Sequence, residues 1–232
     1  MARYIEFLKT VDSPTLSNAI ETLNVRPRSQ GFLPLGIRCL FPEFGRLVGY
    51  AVTAEVETIT RREAPDPHKF ADLYAAVAAS PRPAVVAFQE IGGHPDLAAH
   101  CGEVMATAFT RLGAVGLVSD AGVRDLPEVR ALGFQYFARG AVASHGYFRI
   151  HRVGVAIQIE GEVIRPGDLI HADENGVLLV PDGLEETLPA AVASVRAREK
   201  KLMDYMKSAA FSVEGLREML TAPVAAQREN PD

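Results

Sequence analysis

The sequence predicts an α/β fold: a single domain, spanning residues 1–232, in which parallel strands are covered by helices. The middle of the chain alternates segments of helical periodicity with short, continuous apolar runs, which is typical of strands buried on both faces. Beyond residue 150 the pattern changes to short strands separated by glycine-containing turns, which predicts a small antiparallel β layer. An amphipathic segment at about 183–206 predicts a long C-terminal helix, and a less patterned tail follows at 207–232.

The first elements follow from capping residues and periodicity. A Ser-Pro pair at residues 13–14 is typical of a helix start. Residues 46–59 are rich in β-branched side chains and alternate as a strand does. The charged, proline-bearing segment 61–68 predicts an exposed loop. Residues 70–77 repeat apolar side chains at helical spacing, and the prolines that follow end that helix.

The centre of the chain contains the predicted parallel strands. The runs PAVVAFQE (83–90) and AVGLVS (114–119) are continuous and apolar, as buried strands are. Between them, a glycine-rich turn precedes a helix that begins near Gly102 and Glu103 and ends at Gly113. Ligands of such folds bind beyond the carboxyl ends of the strands, so we expect the functional site in the segments that follow these two runs.

Composition excludes several classes of function. The chain has 24 Lys and Arg against 29 Asp and Glu, a net charge of −5, which provides no positive field for nucleic acid or an acidic membrane. Its two cysteines, Cys39 and Cys101, lack the spacing of a zinc site or a disulfide framework and favour a reducing compartment. No segment has the roughly 18 apolar residues of a membrane span or the apolar core of a signal peptide. We therefore expect a cytoplasmic protein that binds neither nucleic acid nor membranes.

Residues 119–133, SDAGVRDLPEVRALG, place several charges at the exit of a predicted buried strand. If Glu103, Asp125 and Glu128 converge on Arg124, negative charge is left uncompensated, and two carboxylates about 4 Å apart repel by roughly 4 kcal/mol. A proton or a divalent cation would relieve that repulsion, and oxygen-only ligands favour a hard ion such as Mg²⁺ or Mn²⁺. The alternative is a loop salt bridge between Arg124 and Asp125, with Glu128 in the first turn of a helix, where an acid is favoured.

These residues resemble the motif of a family that joins class II pyruvate aldolases (4-hydroxy-4-methyl-2-oxoglutarate aldolase) with RraA, the regulator of ribonuclease E activity. The family motif is an acid, twenty intervening residues, Arg-Asp, two residues, then Glu or Asp. Here Glu103, Arg124-Asp125 and Glu128 occupy those positions. The segments GEVMATAFTRLGAVG, LGFQYFARG and VIRPGDLIHADENGVLLVP extend the similarity over most of residues 15–182.

The resemblance implies a swivelling α/β/α-sandwich domain that assembles as a homotrimer or homohexamer, with active sites between subunits. It implies that Asp125 binds Mg²⁺, Mn²⁺ or another divalent metal, with Glu103 and Glu128 as further ligands, directly or through water. The implied catalytic residues are Arg124, Asp125 and Glu103, and the implied substrate-binding residues are Arg124, Gly102, Glu103, Val104 and Met105. Arg139 and His145 either line the same cleft or are ordinary strand-end and turn residues.

Two functions are compatible with this resemblance. The first is a lyase that cleaves a small 2-keto acid to pyruvate, by retro-aldol cleavage of substrates like 4-hydroxy-4-methyl-2-oxoglutarate or by decarboxylation of oxaloacetate. Both reactions pass through the enolate of pyruvate, whose charge a divalent cation stabilises as a Lewis acid. The alternative is a non-catalytic regulator of the RraA type that binds a ribonuclease. A methyltransferase, a further label attached to the family, finds no glycine-rich nucleotide loop in this sequence.

Overall fold

A computed structural model describes residues 2–61 and 64–221 of the chain. The helices are α1 (Ala2–Leu8), α2 (Ser13–Thr22), α3 (Pro67–Ala79), α4 (Glu103–Arg111), α5 (Leu126–Ala131), α6 (Leu188–Met206) and α7 (Val213–Thr221). The strands are β1 (Arg38–Cys39), β2 (Leu47–Glu57), β3 (Ala84–Glu90), β4 (Ala114–Ser119), β5 (Gly122–Val123), β6 (Gln135–Ala138), β7 (Gly140–Ala141), β8 (Arg149–Val153), β9 (Ile157–Ile159), β10 (Glu162–Ile164), β11 (Leu169–Asp173) and β12 (Gly176–Val180). Within these ranges no helix combines the length and the apolar character that crossing a membrane requires.

A mixed sheet forms the centre of the domain, with the strand order β1-β6-β4-β3-β2-β11-β12 and with β8 paired to β2. Strands β2, β3, β4 and β6 are parallel, and the helices α3, α4 and α5 connect them in turn. Strands β1, β8, β11 and β12 pair antiparallel with their neighbours. The predicted α/β class is therefore confirmed.

Alternation along the parallel strands sends side chains into two different cores. Val86 and Phe88 of β3 pack with residues of α3, α4 and α5. Val85 and Ala87 point the other way and pack with Ile159 and its neighbours in the antiparallel hairpin β9–β10. This hairpin supplies the small antiparallel layer that the sequence predicts, and it packs on this face of the sheet.

Helices α1, α2 and α6 form a third core with β11 and β12, in which Leu16 of α2 and Leu188 of α6 are fully buried. The start of α2 differs from the prediction by one residue, because Asp12 and not Ser13 is the N-cap. The Asp12 carboxylate accepts a hydrogen bond from the backbone N–H of Thr15 over 2.9 Å. Ser13 is instead bound through its N–H and hydroxyl to the buried carboxylate of Asp173.

The C-terminal helix is confirmed but begins later than predicted. Helix α6 starts at Leu188 because the carbonyl oxygen of Leu184 accepts hydrogen bonds from Thr187 and Leu188, which turns the chain just before the helix. The tail also contains α7, where the sequence predicts no regular element. None of the residues of α7 is buried, so no apolar core specifies it. Residues 222–232 of the predicted tail lie outside the described residues.

Candidate functional site

The parallel strands β3 and β4 end side by side, and the segments that follow them meet at one edge of the sheet. The backbone N–H of His100 donates to the carbonyl oxygen of Gly122 over 2.8 Å, and that of Arg124 donates to Cys101 over 2.9 Å. These bonds bring the start of α4 next to Arg124 and Asp125, although the two segments are distant in the sequence.

Asp125 has a left-handed backbone, with φ 58° and ψ 45°, a conformation that costs a residue other than glycine about 1 kcal/mol or more. Its Oδ2 atom accepts a hydrogen bond from the backbone N–H of Glu103 over 2.9 Å. The Nε atom of Arg124 lies 3.7 Å from the same oxygen. The other carboxylate oxygen, Oδ1, accepts no hydrogen bond from the described residues, and the Asp125 side chain is 36% exposed. One oxygen is thus fixed by the protein, and the other is available to a ligand.

Gly102 makes this close approach possible. Its φ of −139° is accessible to any residue, so backbone strain does not require a glycine here. A Cβ atom at this position would lie 2.3 Å from Oδ2 of Asp125 and 3.1 Å from Cγ of Arg124. Any larger residue would therefore displace the Asp125 carboxylate from the start of α4.

A cavity of about 280 Å³ opens beside Arg124 and Asp125, a size that suits a small molecule. Arg124, Asp125, Gly102 and His145 line its polar side. The remaining lining residues are His100 and Cys101, together with the apolar Pro65, Phe70, Ala99, Val104, Met105 and Phe148.

The first turn of α4 offers donors to an anion in this cavity, because the first N–H groups of a helix have no partner within the helix. The N–H of Glu103 is already bound to Asp125. Val104 and Met105 both line the cavity, so their N–H groups are the ones left for the carboxylate of a ligand. Glu103, one of the predicted substrate-binding residues, therefore uses its backbone N–H to bind the protein's own Asp125.

The oxygens available determine whether a divalent cation fits. Among the described residues, no group of three or more His, Cys, Asp or Glu side chains could hold a metal ion. Asp125 nevertheless offers a partly exposed carboxylate, and Mg²⁺ is commonly held by one or two carboxylates, with water and substrate completing its coordination. The donor set fits a hydrated hard cation shared with a ligand, and it does not fit a closed, all-protein metal site.

Glu103 and Glu128 both have exposed side chains. Glu103 is the first residue of α4, and Glu128 lies in the first turn of α5. Neither carboxylate forms a hydrogen bond or an ion pair with another described residue. The structure brings the backbone of Glu103 to Asp125 but does not gather the three carboxylates into one cluster, and their role as metal ligands stays a prediction.

A buried polar network, which the sequence analysis missed, lies below the cavity in the sense that His100 both lines the cavity and belongs to the network. The Nε2 atom of His100 is 3.0 Å from Oε2 of Glu90, and its Nδ1 atom is 2.8 Å from the hydroxyl of Ser119. Because the Glu90 carboxylate can only accept, Nε2 carries the ring proton and donates it to Glu90, and Nδ1 of the neutral ring accepts the hydroxyl proton of Ser119. The same hydroxyl oxygen accepts the backbone N–H of Ala121 over 3.0 Å. Thr58 donates a further hydrogen bond to Glu90 over 2.8 Å.

The protonation states of the network follow from its burial and its bonds. Burial lowers the pKa of His100, which favours the neutral ring. Burial opposes ionisation of Glu90, but hydrogen bonds from His100 and Thr58 hold its pKa below the ordinary value. Asp120 accepts the backbone N–H of Glu90 over 2.7 Å, and burial, with the nearby charge of Glu90, raises the pKa of Asp120 to about 7. One negative charge is therefore buried below the cavity, and Asp120 titrates near neutral pH.

The two further candidates from the sequence occupy different positions. His145 is exposed and lines the cavity. Arg139 does not line it: its Nε atom donates to the carbonyl oxygen of Asp120 over 2.6 Å, and its guanidinium pairs with Glu160. Arg139 thus supports the segment after β4 without reaching the cavity.

Comparison with known sequences finds a family model that matches most of the chain. The model of the RraA-like family, described as Aldolase/RraA, matches residues 13–179. A protein of Halalkalibacterium halodurans with the provisional name 4-hydroxy-4-methyl-2-oxoglutarate aldolase is 36% identical over 102 residues, 44% of this chain and 46% of that protein. The chain spans less than half the length of the curated relatives it matches.

Solved structures share the fold. An uncharacterized protein of Pseudomonas syringae pv. tomato matches with a TM-score of 0.72 at 24% identity, over 94% of this chain and 93% of that one. Streptomyces coelicolor RraAS2, described as an unusual member of the RNase ES inhibitor RraA protein family, matches with a TM-score of 0.69 at 22% identity, over 90% of this chain and 99% of that one. At these identities the likeness shows the fold alone.

Proposed function

We propose that this chain, which belongs to the RraA-like (Aldolase/RraA) family, is a divalent-metal-dependent carbon–carbon lyase that releases pyruvate from a small 2-keto acid. The proposal rests on the position of Asp125, whose partly exposed carboxylate is fixed at the start of α4, beside Arg124 and a cavity. The family includes aldolases and non-catalytic RraA regulators. The name of the Halalkalibacterium halodurans relative supports the aldolase branch.

In this proposal Asp125 holds Mg²⁺, Mn²⁺ or another divalent ion, with Glu103 and Glu128 contributing directly or through water. When bound, such an ion supplies Lewis-acid stabilisation to the keto and carboxylate oxygens of the substrate as negative charge develops on them. One oxygen of the partly exposed Asp125 carboxylate accepts no hydrogen bond from the described residues, which supports a coordination sphere with room for substrate.

The protein's own groups orient the substrate. The N–H groups of Val104 and Met105 receive its carboxylate at the positive end of α4. Arg124 directs a guanidinium towards the oxygen on which the enolate charge develops, and one such donor typically contributes about 2.7–4 kcal/mol to the stabilisation of a transition state. The ion pair with Asp125 keeps this guanidinium near the cavity.

Proton transfer is the remaining requirement. In retro-aldol cleavage the hydroxyl proton at C4 leaves, the C3–C4 bond breaks, and C3 must gain a proton to give pyruvate. We assign this exchange to Glu103, whose exposed carboxylate lies at the first position of α4 and has no partner among the described residues. Decarboxylation of oxaloacetate gives the same enolate, with CO₂ as the leaving group, and needs only the return of the proton to C3.

We also expect the protein to assemble as a homotrimer or homohexamer. Val104 lines the cavity and is 82% exposed, so the cavity is open to solvent on the side of α4. A neighbouring subunit packed against that side would exclude water from the substrate.

The proposal is tested with oxaloacetate and Mg²⁺. We expect pyruvate release that EDTA abolishes and that Asp125→Ala reduces by about 100-fold or more. Asp72→Ala is the matched control, because Asp72 is exposed on α3 and has no partner among the described residues. Pyruvate release that persists both in EDTA and in Asp125→Ala contradicts the proposal.

A non-catalytic regulator is the second candidate, and the fold shared with RraAS2 favours it. Such a regulator would bind a ribonuclease and would not need the Asp125 carboxylate. A purified ribonuclease of the E type that binds both the wild-type chain and Asp125→Ala, together with a wild-type chain that releases no pyruvate, would select this candidate.

A further inference from the structure

We infer that the cavity beside Asp125 selects 2-keto acids whose distal end, beyond the reacting carbons, is uncharged and apolar, with a branched aliphatic or aryl tail, over those with a carboxylate at that distal end; the leaving carboxylate of oxaloacetate is attached to a reacting carbon and is not part of it. The inference rests on the proposed function and concerns the part of the substrate beyond the reacting carbons. It follows from the side chains that line the cavity and from the pairing of the nearby cations.

The apolar wall of the cavity, formed by Phe70, Met105 and Phe148, is firmly packed. Phe70 and Phe148 lie against each other with ring centroids 5.9 Å apart, and both line the cavity together with Met105. Phe148 is 8% exposed, and its ring centroid is 6.2 Å from that of Phe88 in the core. An apolar tail placed against this wall would leave water favourably, whereas a carboxylate would lose hydration without gaining a partner.

A second carboxylate would also need a cation. Among the described residues, Arg124 is the one Lys or Arg that lines the cavity, and the reacting end of the substrate engages it. Arg149, next to Phe148, donates from Nε to Glu57 over 2.6 Å, and Arg139 pairs with Glu160. Withdrawing either guanidinium from its carboxylate would leave that carboxylate without its charge partner.

The charges around the cavity also disfavour a second carboxylate on the substrate. Glu90 lies below the cavity as a buried carboxylate bonded to the neutral ring of His100. Asp125 lines the cavity, and the exposed Glu103 begins the helix beside it. With a divalent ion bound, the three positive charges of the ion and Arg124 are met by Asp125, Glu103, Glu90 and the carboxylate at the reacting end of the substrate, which disfavours a further anion at the distal end.

The chemistry of such a substrate is balanced without a further reactant. The C3–C4 bond breaks, its electron pair stays on C3 as the enolate of pyruvate, and the C4 hydroxyl becomes a carbonyl group. The released hydroxyl proton is returned to C3. The products are pyruvate and an apolar aldehyde or ketone, in contrast to the cleavage of 4-hydroxy-4-methyl-2-oxoglutarate, in which both products are pyruvate.

Binding of two inert 2-keto acids tests the inference without turnover. Calorimetry on the full chain with Mg²⁺ compares 4-methyl-2-oxopentanoate with 2-oxoglutarate, which share the same head and have tails of similar length. We expect the apolar ligand to bind about tenfold more tightly or better, because its tail matches the wall and needs no cation. Equal or tighter binding of 2-oxoglutarate, or no binding of 4-methyl-2-oxopentanoate, overturns the inference.

A variant at the exposed rim tests the reason for the preference. Pro65 lines the cavity and is exposed. Pro65→Lys adds a cation next to the cavity without touching the core, and we expect it to reduce the preference for the apolar ligand by about fivefold or more. Pro65→Gln removes the same ring and adds a polar side chain without charge, and we expect it to keep the wild-type ratio within about twofold. A ratio that is the same in Pro65→Lys as in Pro65→Gln contradicts the electrostatic part of the inference.

The inference and the proposed function fail separately. If the protein binds 2-oxoglutarate more tightly but releases pyruvate in a manner that requires Asp125, the inferred selectivity is wrong and the proposed lyase function stands. If the protein prefers 4-methyl-2-oxopentanoate but releases no pyruvate, the inferred selectivity stands and the proposed lyase function is wrong.

Discussion

The Oδ2 atom of Asp125 accepts a hydrogen bond from the backbone N–H of Glu103 over 2.9 Å. Through this bond, Asp125, which lies in the segment after β4, accepts a free backbone N–H at the start of α4, the helix that follows β3. The same carboxylate oxygen lies 3.7 Å from Nε of Arg124. The two partners fix the orientation of Asp125, and its second oxygen accepts no hydrogen bond from the described residues.

Replacing Gly102 by Ala tests whether this orientation matters. The new Cβ atom would lie 2.3 Å from Oδ2 of Asp125, so the carboxylate must rotate away from Glu103. We expect pyruvate release to fall by about tenfold or more while the circular dichroism spectrum is unchanged, since the backbone angles suit any residue. Gly36→Ala is the control, because the nearest atom to its Cβ is 3.6 Å away. Full activity of Gly102→Ala would show that the position of Asp125 is unimportant.

Arg124→Met removes the guanidinium and keeps a flexible side chain. Because Arg124 is proposed to stabilise charge that develops during the reaction, kcat/KM for oxaloacetate should fall by about 100-fold to 1000-fold. Arg111, exposed at the end of α4, provides the matched Arg→Met control and should change kcat/KM by less than about twofold. Steady-state kinetics in which both variants behave alike would remove Arg124 from the mechanism.

Asp120 makes the stability of the fold depend on pH. Burial raises its pKa from 3.8 to about 7, so the folded protein retains a proton that the unfolded chain has already released. The stabilisation is complete below about pH 4 and is lost as the pH rises through about 7. Asp120→Asn keeps an oxygen to accept the N–H of Glu90 but does not ionise.

The free energies of unfolding of the wild type and Asp120→Asn, measured by denaturant titration at several pH values, should therefore diverge. From about pH 5 to about pH 7.5, we expect the wild type to lose roughly 2 kcal/mol relative to Asp120→Asn. A difference that is constant over this range would mean that Asp120 does not titrate there.

Ser119→Ala tests the buried network below the cavity. It leaves the N–H of Ala121 and the Nδ1 atom of His100 without their partner, which should cost about 1–3 kcal/mol in the free energy of unfolding. Ser17→Ala, on α2, is the control, because the Ser17 hydroxyl forms no hydrogen bond with the described residues. If the two substitutions have equal effects on stability, the network does not contribute as described.

The parallel strands could be predicted because burial on both faces leaves a direct trace in the sequence. The runs at 83–90 and 114–119 are apolar at nearly every position, and they form β3 and β4 at the centre of the sheet. The meeting of the start of α4 with Arg124 and Asp125 could also be anticipated, since loops at the carboxyl ends of neighbouring parallel strands share one edge. Helix α7 could not, because none of its residues is buried.

The network of Glu90, His100 and Ser119 has no comparable trace. Glu90 and Ser119 end buried strands, which hints at a polar edge, but the partner of His100 depends on the path of the segment from residue 91 to residue 99. A single histidine, with no second ligand-type residue at the spacing of a metal site, does not reveal from the sequence which groups surround its ring. The same holds for the apolar wall of the cavity, because Phe70 and Phe148 lie on elements far apart in the chain.

Exchange of the methyl protons of pyruvate in D₂O, followed by proton NMR, tests the central claim most directly, because it detects the enolate without requiring the physiological substrate. With Mg²⁺ present we expect exchange that EDTA stops and that Asp125→Ala slows by about 100-fold or more, while Asp72→Ala exchanges as the wild type does. Exchange no faster than in buffer alone, or exchange indifferent to EDTA and to the loss of the Asp125 carboxylate, would contradict it.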